Sequence, residues 1–211
     1  VDWSPIEDVI ATACSSRFVC LYNIKGPTRQ VLAGHTRPVT DVAFSHDGAY
    51  LASHADDRRT RGWRTRQDSS LIWEAPEPGS AEGEVVRSHD GTIASGNSIG
   101  EIREWQDPDR SPKIQMVGNG AVVDLGYAAS GNLAVSDRSG SISVLPGHLS
   151  LDETLVLRNM RTARFTWIDD ARLAFVSQDG GIWLLNPRTK ELSAVYKGET
   201  RRADGIVAIP G

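Results

Sequence analysis

The strongest constraint on this chain is an interval. Tyr22, Trp63, Trp105, Leu145 and Leu185 stand 41, 42, 40 and 40 residues apart, each closing a short alternating stretch. Unrelated loops do not keep such spacing, so the chain reads as one supersecondary unit repeated along its length. The unit is clearest over residues 34–63. It opens at Gly34-His35, alternates through Val39, Val42 and Phe44, and turns at Asp47-Gly48. It alternates again from Tyr50 to Ser53, turns at Asp56-Asp57 and ends on Trp63. Period-two patterns broken by tight turns predict a meander of short antiparallel strands.

The units run approximately over residues 1–33, 34–75, 76–117, 118–157 and 158–197, with the start of a sixth at 203–211. The first hairpin turn recurs as His46-Asp47-Gly48, His89-Asp90-Gly91, Ser130-Gly131-Asn132 and Asp169-Asp170-Ala171. Outer strands are expected near residues 29–32, 71–73 and 191–196, and an innermost strand at 205–211. Residues 76–80 break the chain between units, not between domains. Nothing predicts a helix longer than a turn.

The Gly-His opening and the Trp close resemble one unit of the WD-repeat β-propellers of Gβ type. That resemblance implies an all-β fold, a β-propeller of four-stranded antiparallel blades. Here it gives about five blades plus one strand, read as part of a larger, seven-bladed ring. It also implies a buried polar relay in each blade, formed in the second unit by His35, Ser53, Asp57 and Trp63. A buried imidazole and indole N–H need partners or cost a few kcal/mol, about 1–3 each. Elsewhere the set decays. The first unit has Thr12, Ser16 and Tyr22, the third keeps Ser95 and Trp105 with Ile99 in the Asp position, and the fourth has Val135, Ser139 and Leu145. The fifth keeps Asp179-Gly180 beside Phe175 and Leu185. Replacing relay members by apolar residues is physically consistent, because a half-satisfied network is worse than none. Gly62, just before Trp63, stands where a large apolar residue is expected, so that face is either loosely packed or filled from elsewhere.

His35, Ser53 and Asp57 include all three residue types of a hydrolase triad, yet Ser53 lies on a strand and not in a G-x-S-x-G elbow, and the run Gly96-Asn97-Ser98-Ile99-Gly100 reads as a hairpin turn. Cys14 and Cys20 flank the Arg17 turn symmetrically and are read as two small buried thiols, with a disulfide or two-thiol metal site as the alternatives. Scattered histidines (His46, His54, His89 and His148) offer no metal set, and no cofactor is expected. The run of Arg58, Arg59, Arg61, Arg64 and Arg66 is interleaved with acids and reads as a solvated, salt-bridged face. A net charge of −4 makes nucleic acid an unfavoured partner, and no apolar run reaches membrane-span length.

A non-catalytic scaffold for protein or peptide partners follows from the resemblance, with an enzyme-associated regulatory propeller or a small-ligand or sugar-binding five-bladed propeller as alternatives. Other blades of the same propeller, or a blade supplied by a partner, are also expected. With two cysteines, a cytoplasmic, reducing compartment is the default. The turns between second and third strands share a rim with the loops between units. That rim collects Arg17, Arg37, Arg58, Arg138 and Arg161, with Arg201 and Arg202, whereas Glu7, Asp8, Asp47, Asp90, Asp169 and Asp170 fall on the opposite rim. Such segregation predicts an acidic or phosphorylated peptide bound through planar arginine contacts.

Overall fold

Alternating stretches joined by tight turns become antiparallel meanders, and among the described residues the pattern occurs five times, each as a four-stranded sheet. The computed structural model describes residues 1–14, 17–27, 29–45, 47–65, 70–76, 83–87, 90, 92–106, 111–117, 120–147, 155–157, 164–177 and 180–197. The expected strand at 205–211, the relay positions Ser16 and Asp179, the histidines His46, His89 and His148, and Arg66, Arg161, Arg201 and Arg202 lie outside these residues.

The first sheet holds β1 (Asp2–Trp3), β2 (Val9–Ala13), β3 (Phe18–Asn23) and β4 (Arg29–Ala33). The second holds β5 (Val39–Phe44), β6 (Tyr50–Ala55), β7 (Arg59–Arg64) and β8 (Leu71–Pro76). In the third are β9 (Gly83–Arg87), β10 (Ile93–Asn97), β11 (Glu101–Trp105) and β12 (Lys113–Met116). The fourth has β13 (Val122–Tyr127), β14 (Leu133–Asp137), β15 (Ile142–Leu145) and β16 (Leu155–Leu157). The fifth has β17 (Phe165–Asp169), β18 (Arg172–Val176), β19 (Ile182–Asn186) and β20 (Glu191–Tyr196). Among the described residues there is no helix.

Register follows the interval seen in the sequence. Tyr22, Trp63, Trp105, Leu145 and Leu185 pair across the sheet with Ile10, Leu51, Ile93, Leu133 and Leu173, a row with the same spacing. A one-residue slip in any unit would turn its core side chains to the other face, so the repeat holds register as well as fold.

Each sheet packs face to face against the next in chain order, β2 on β5, β5 on β9, β9 on β13 and β13 on β17. Backbone and side chain also link neighbours. Phe44 N–H donates to Asp2 Oδ2 at 2.7 Å, Phe165 N–H to Asp124 Oδ2 at 3.0 Å, and Trp167 Nε1–H to the Gly126 carbonyl at 2.9 Å. Among the described residues the first and fifth sheets share no such packing. Their outer faces stay open, leaving Trp3 50% exposed and β20 exposed along its whole length.

Gly62 resolves its own puzzle. Trp73, its cross-strand neighbour on β8, lies over it, and a Cβ on Gly62 would meet the indole at 2.2 Å. The Trp73 ring stacks on Trp105 of the next sheet, with centroids 4.6 Å apart and planes 15° from parallel. Ala43, Ala52 and Ile93 complete this small core. The missing side chain therefore makes room for a larger one, and the face is filled. Gly62→Ala should push Trp73 off the stack and destabilise the chain by about 1–3 kcal/mol, the usual range for overpacking. Urea unfolding checks this, and a variant as stable as the wild type would mean the stack contributes nothing.

Candidate functional site

Strand burial explains why polar residues gather inside the second unit. β6 is buried through Leu51, Ala52, Ser53, His54 and Ala55, because both faces of a central strand meet neighbouring sheets. Its polar side chains must then find partners within the protein. Ser53 and Trp63 lie on the face toward the first sheet, with Leu51 and Phe44. The chain returns over this face at Gly34-His35. There Trp63 Nε1–H donates to Ser53 Oγ at 2.8 Å, and Ser53 Oγ lies 2.8 Å from His35 Nε2. His35 Nδ1 reaches the Asp57 carboxylate at 3.0 Å, and Thr36 N–H donates to the same carboxylate at 2.9 Å. With His35 neutral and protonated on Nδ1, its Nδ1–H donates to Asp57 and its Nε2 accepts from Ser53 Oγ–H, which satisfies both ring nitrogens.

Arg61 is the member that sequence reading missed. The arginine run was expected to be a solvated face, yet Arg61 is only 4% exposed. Its Nη1 donates to Asp57 Oδ2 at 2.8 Å and lies against His35 Nδ1, while Nη2 pairs with Glu74. Arg59 pairs with Glu74 as well, so the salt-bridged part of the expectation stands and the solvated part is corrected for Arg61. The signal was available, since Arg61 is cross-strand from Ser53 and shares its face. On the opposite face, His54 Nδ1 meets Thr60 Oγ1 at 3.0 Å, with both residues fully buried.

Burial drives the His35 imidazole below its ordinary value of 6.5, more than the Asp57 hydrogen bond raises it. For Asp57, burial pushes upward, but hydrogen bonds from Thr36 N–H, Arg61 and His35 outweigh it and hold the carboxyl low. The order Asp57–His35–Ser53 is that of a hydrolase triad. Ser53, however, is completely buried, and its oxygen already accepts the Trp63 N–H. A substrate has no route to it in this arrangement.

A second buried ionisable pair joins the third and fourth sheets. Glu104, 1% exposed, occupies the position equivalent to Gly62 and accepts a 2.6 Å hydrogen bond from Tyr127 Oη. Burial first, then the Glu104 charge, raises the Tyr127 phenol far above its ordinary range.

Cys14 and Cys20 correct another expectation. They are not two free thiols but a disulfide, with Cα atoms 5.9 Å apart across the β2–β3 hairpin. The pairing of Thr12 with Cys20 and of Ala13 with Val19 brings the two residues to the same face.

Arg17, Arg37, Arg58 and Arg138 are all exposed, in the loops at one end of the sheets. Arg17 lies at the β2–β3 turn, Arg37 between β4 and β5, Arg58 at the β6–β7 turn and Arg138 at the β14–β15 turn. The acids of the other end serve their own turns. Asp47 accepts from Ser45 Oγ at 2.6 Å and Ala49 N–H at 3.0 Å, Asp90 from Thr92 N–H at 3.0 Å, and Asp169 from Ala171 N–H at 2.9 Å.

Repeated four-stranded meanders packed in series, one of them locked by an Asp–His–Ser–Trp relay, define a β-propeller of repeat class. The family model described as WD domain, G-beta repeat matches residues 26–64, which hold the relay unit. A coronin-like protein of Saccharomyces cerevisiae is 31% identical over 80 residues, 38% of this chain and 12% of that protein. The human WD repeat and SOCS box-containing protein 1 is 34% identical over 92 residues, 42% of this chain and 21% of that protein. A chain in the crystal structure of the mitotic checkpoint complex superposes with a TM-score of 0.78 at 16% identity, and U3-55K with 0.73 at 17%. Those matches cover 94% and 92% of this chain and 63% of each neighbour. Residues 26–64 of this chain thus carry a WD40 repeat, and the chain as a whole shares the fold of β-propellers of that kind.

The relay makes stability depend on pH. His35 titrates lower when folded, so the unfolded chain takes up its proton first, and stability falls as pH drops below 6.5. Asp57 adds a further loss as pH falls below 3.8. Breaking the network by His35→Gln or Asp57→Asn should cost about 1–3 kcal/mol near neutrality. The gap between wild type and His35→Gln should narrow from pH 7 to pH 5, as read by thermal melts. A gap independent of pH would show that His35 does not titrate differently on folding.

Proposed function

We propose that the chain is a non-catalytic interaction scaffold whose arginine rim holds an acidic or phosphorylated peptide. The observation that carries this reading is the backbone of Arg58. Its φ of 59° is left-handed, and the equivalent turn residues in the third, fourth and fifth units are Gly100, Gly140 and Gly180, at 83°, 80° and 80°. An L residue in that conformation costs about 1–2 kcal/mol, which glycine avoids. Strain kept at an exposed turn tip points to function more than to packing. Arg17 stands at the corresponding place in the first unit, and Arg37 lies in the loop entering the second sheet. Guanidinium groups on one rim suit bidentate pairing with carboxylate or phosphate.

Association with other proteins is consistent with a fold shared with a chain of the mitotic checkpoint complex. A regulatory role beside an enzyme remains compatible with the same rim, whereas catalysis by the relay does not suit a buried Ser53. The open face of the first sheet supports a second mode of association. Trp3, Tyr22 and Val31 are 50%, 38% and 44% exposed there, apolar area of the kind a further blade would cover, from the same protein or from a partner.

Fluorescence anisotropy with a labelled acidic phosphopeptide tests the rim. The double variant Arg37→Glu with Arg58→Glu should weaken binding by about tenfold or more, equivalent to about 1.4 kcal/mol. Asp47→Lys with Asp90→Lys, on the other rim, should not weaken it. The reverse result would place the peptide on the opposite face. Arg58→Gly should weaken binding yet raise stability by up to about 1 kcal/mol, since it removes the backbone strain.

A further inference from the structure

The Cys14–Cys20 bond sits among hydrogen-bond donors. Arg29, on β4, places Nη2 at 3.0 Å from Cys20 Sγ and 3.7 Å from Cys14 Sγ. Tyr22 Oη lies 4.0 Å from Cys14 Sγ, and Thr12 Oγ1 lies 3.8 Å from it. The guanidinium carbon also stands 5.6 Å from the centre of the Tyr22 ring, a cation–π contact that holds the charge over the sulfurs. The two sulfurs differ in access, because Cys20 is fully buried and Cys14 is half-buried. All of this lies on the open face of the first sheet, and the loop closed by the bond carries Arg17.

We propose that Cys14 and Cys20 form a reversible dithiol–disulfide couple that exchanges with small thiols of the glutathione class. Arg29 is the positioning residue that holds the Cys20 sulfur as a thiolate. Reduction begins when a small thiolate attacks Cys14 Sγ, the accessible end. The Cys14–Cys20 bond breaks, and its electron pair leaves on Cys20 Sγ beside the Arg29 cation. A second small thiolate then attacks the small-molecule sulfur of the mixed disulfide, releasing Cys14 and a small-molecule disulfide. Net, two small thiols are oxidised to one disulfide and the protein pair gains two electrons. One proton ends on Cys14, and the other is released while Cys20 stays a thiolate. Oxidation runs the same steps backwards, with Cys20 resolving the mixed disulfide at Cys14. A cation beside one sulfur favours its thiolate and so favours the reduced pair.

The test equilibrates the whole chain in buffers of graded reduced-to-oxidised glutathione ratio, quenches with acid, alkylates under denaturing conditions and reads intact mass. The wild type should pass reversibly between species carrying no and two alkyl groups. Arg29→Gln should shift that equilibrium toward the disulfide by about threefold or more, and Arg29→Lys, which keeps the charge, should restore it. Cys20→Ser should accumulate a glutathione adduct on Cys14. Two free cysteines at every glutathione ratio would overturn the proposal. So would an equilibrium indifferent to Arg29. Neither result bears on peptide binding at the rim, which is read separately.

Discussion

Every interior sheet in this protein has two apolar faces to bury, and the rest of the structure follows from that demand. A sheet with one solvated face can stand alone over a single core, whereas these central strands are enclosed on both sides. β10 and β14 have no exposed residue at all. Stability therefore resides in the contacts between sheets, where Phe44, Leu51 and Trp63 meet Val19 and Leu32, and where Ile142 and Val144 meet Phe165 and Phe175. Among the described residues the same demand leaves the outer faces of the first and fifth sheets without a neighbouring sheet.

Full enclosure also creates the polar problem that the relay solves. Ser53, His54, Thr60 and Arg61 come from strands with no solvent-facing side, so their partners come from within the protein, although Arg61 Nε makes no hydrogen bond among the described residues. The second unit does this with Asp57 as a common acceptor for His35, Thr36 and Arg61. Other units avoid the problem by carrying Val135 and Leu145, or Phe175 and Leu185, where the relay would be. The interface of the first two sheets thus depends on the His35–Asp57 network, while the third and fourth sheets share the Glu104–Tyr127 hydrogen bond and the fourth and fifth meet mainly by apolar packing, so acid should loosen them unequally. The rims remain free to vary, which is why the strained Arg58 and the acid-capped turns both appear there.

How much was legible in the sequence depends on the range of each cause. The interval from Tyr22 to Leu185, the hairpin turns and the β20 strand are local or periodic, so the chain displays them directly, whereas the relay set His35, Ser53, Asp57 and Trp63 is legible through the second unit's resemblance to a WD repeat. The rim positions of Arg17, Arg37, Arg58 and Arg138 follow from the same meander. What the pattern could not show was which polar residues face inward, because alternation reads the same for a half-exposed strand and for one enclosed on both sides. Arg61 therefore read as solvated, and only the neighbouring sheet shows it buried.

The sequence by itself determined the repeat, its register and its turn chemistry, since each depends on residues a few positions apart. Only the tertiary structure decided how the faces fill. Trp73 occupies the space left by Gly62 because Trp105 of the next sheet offers a surface to stack on. Glu104 is held inside by Tyr127 across a sheet boundary, and Cys14 meets Cys20 with Arg29 laid over both. These contacts join residues brought together by the fold, and no period in the chain encodes the space between two side chains.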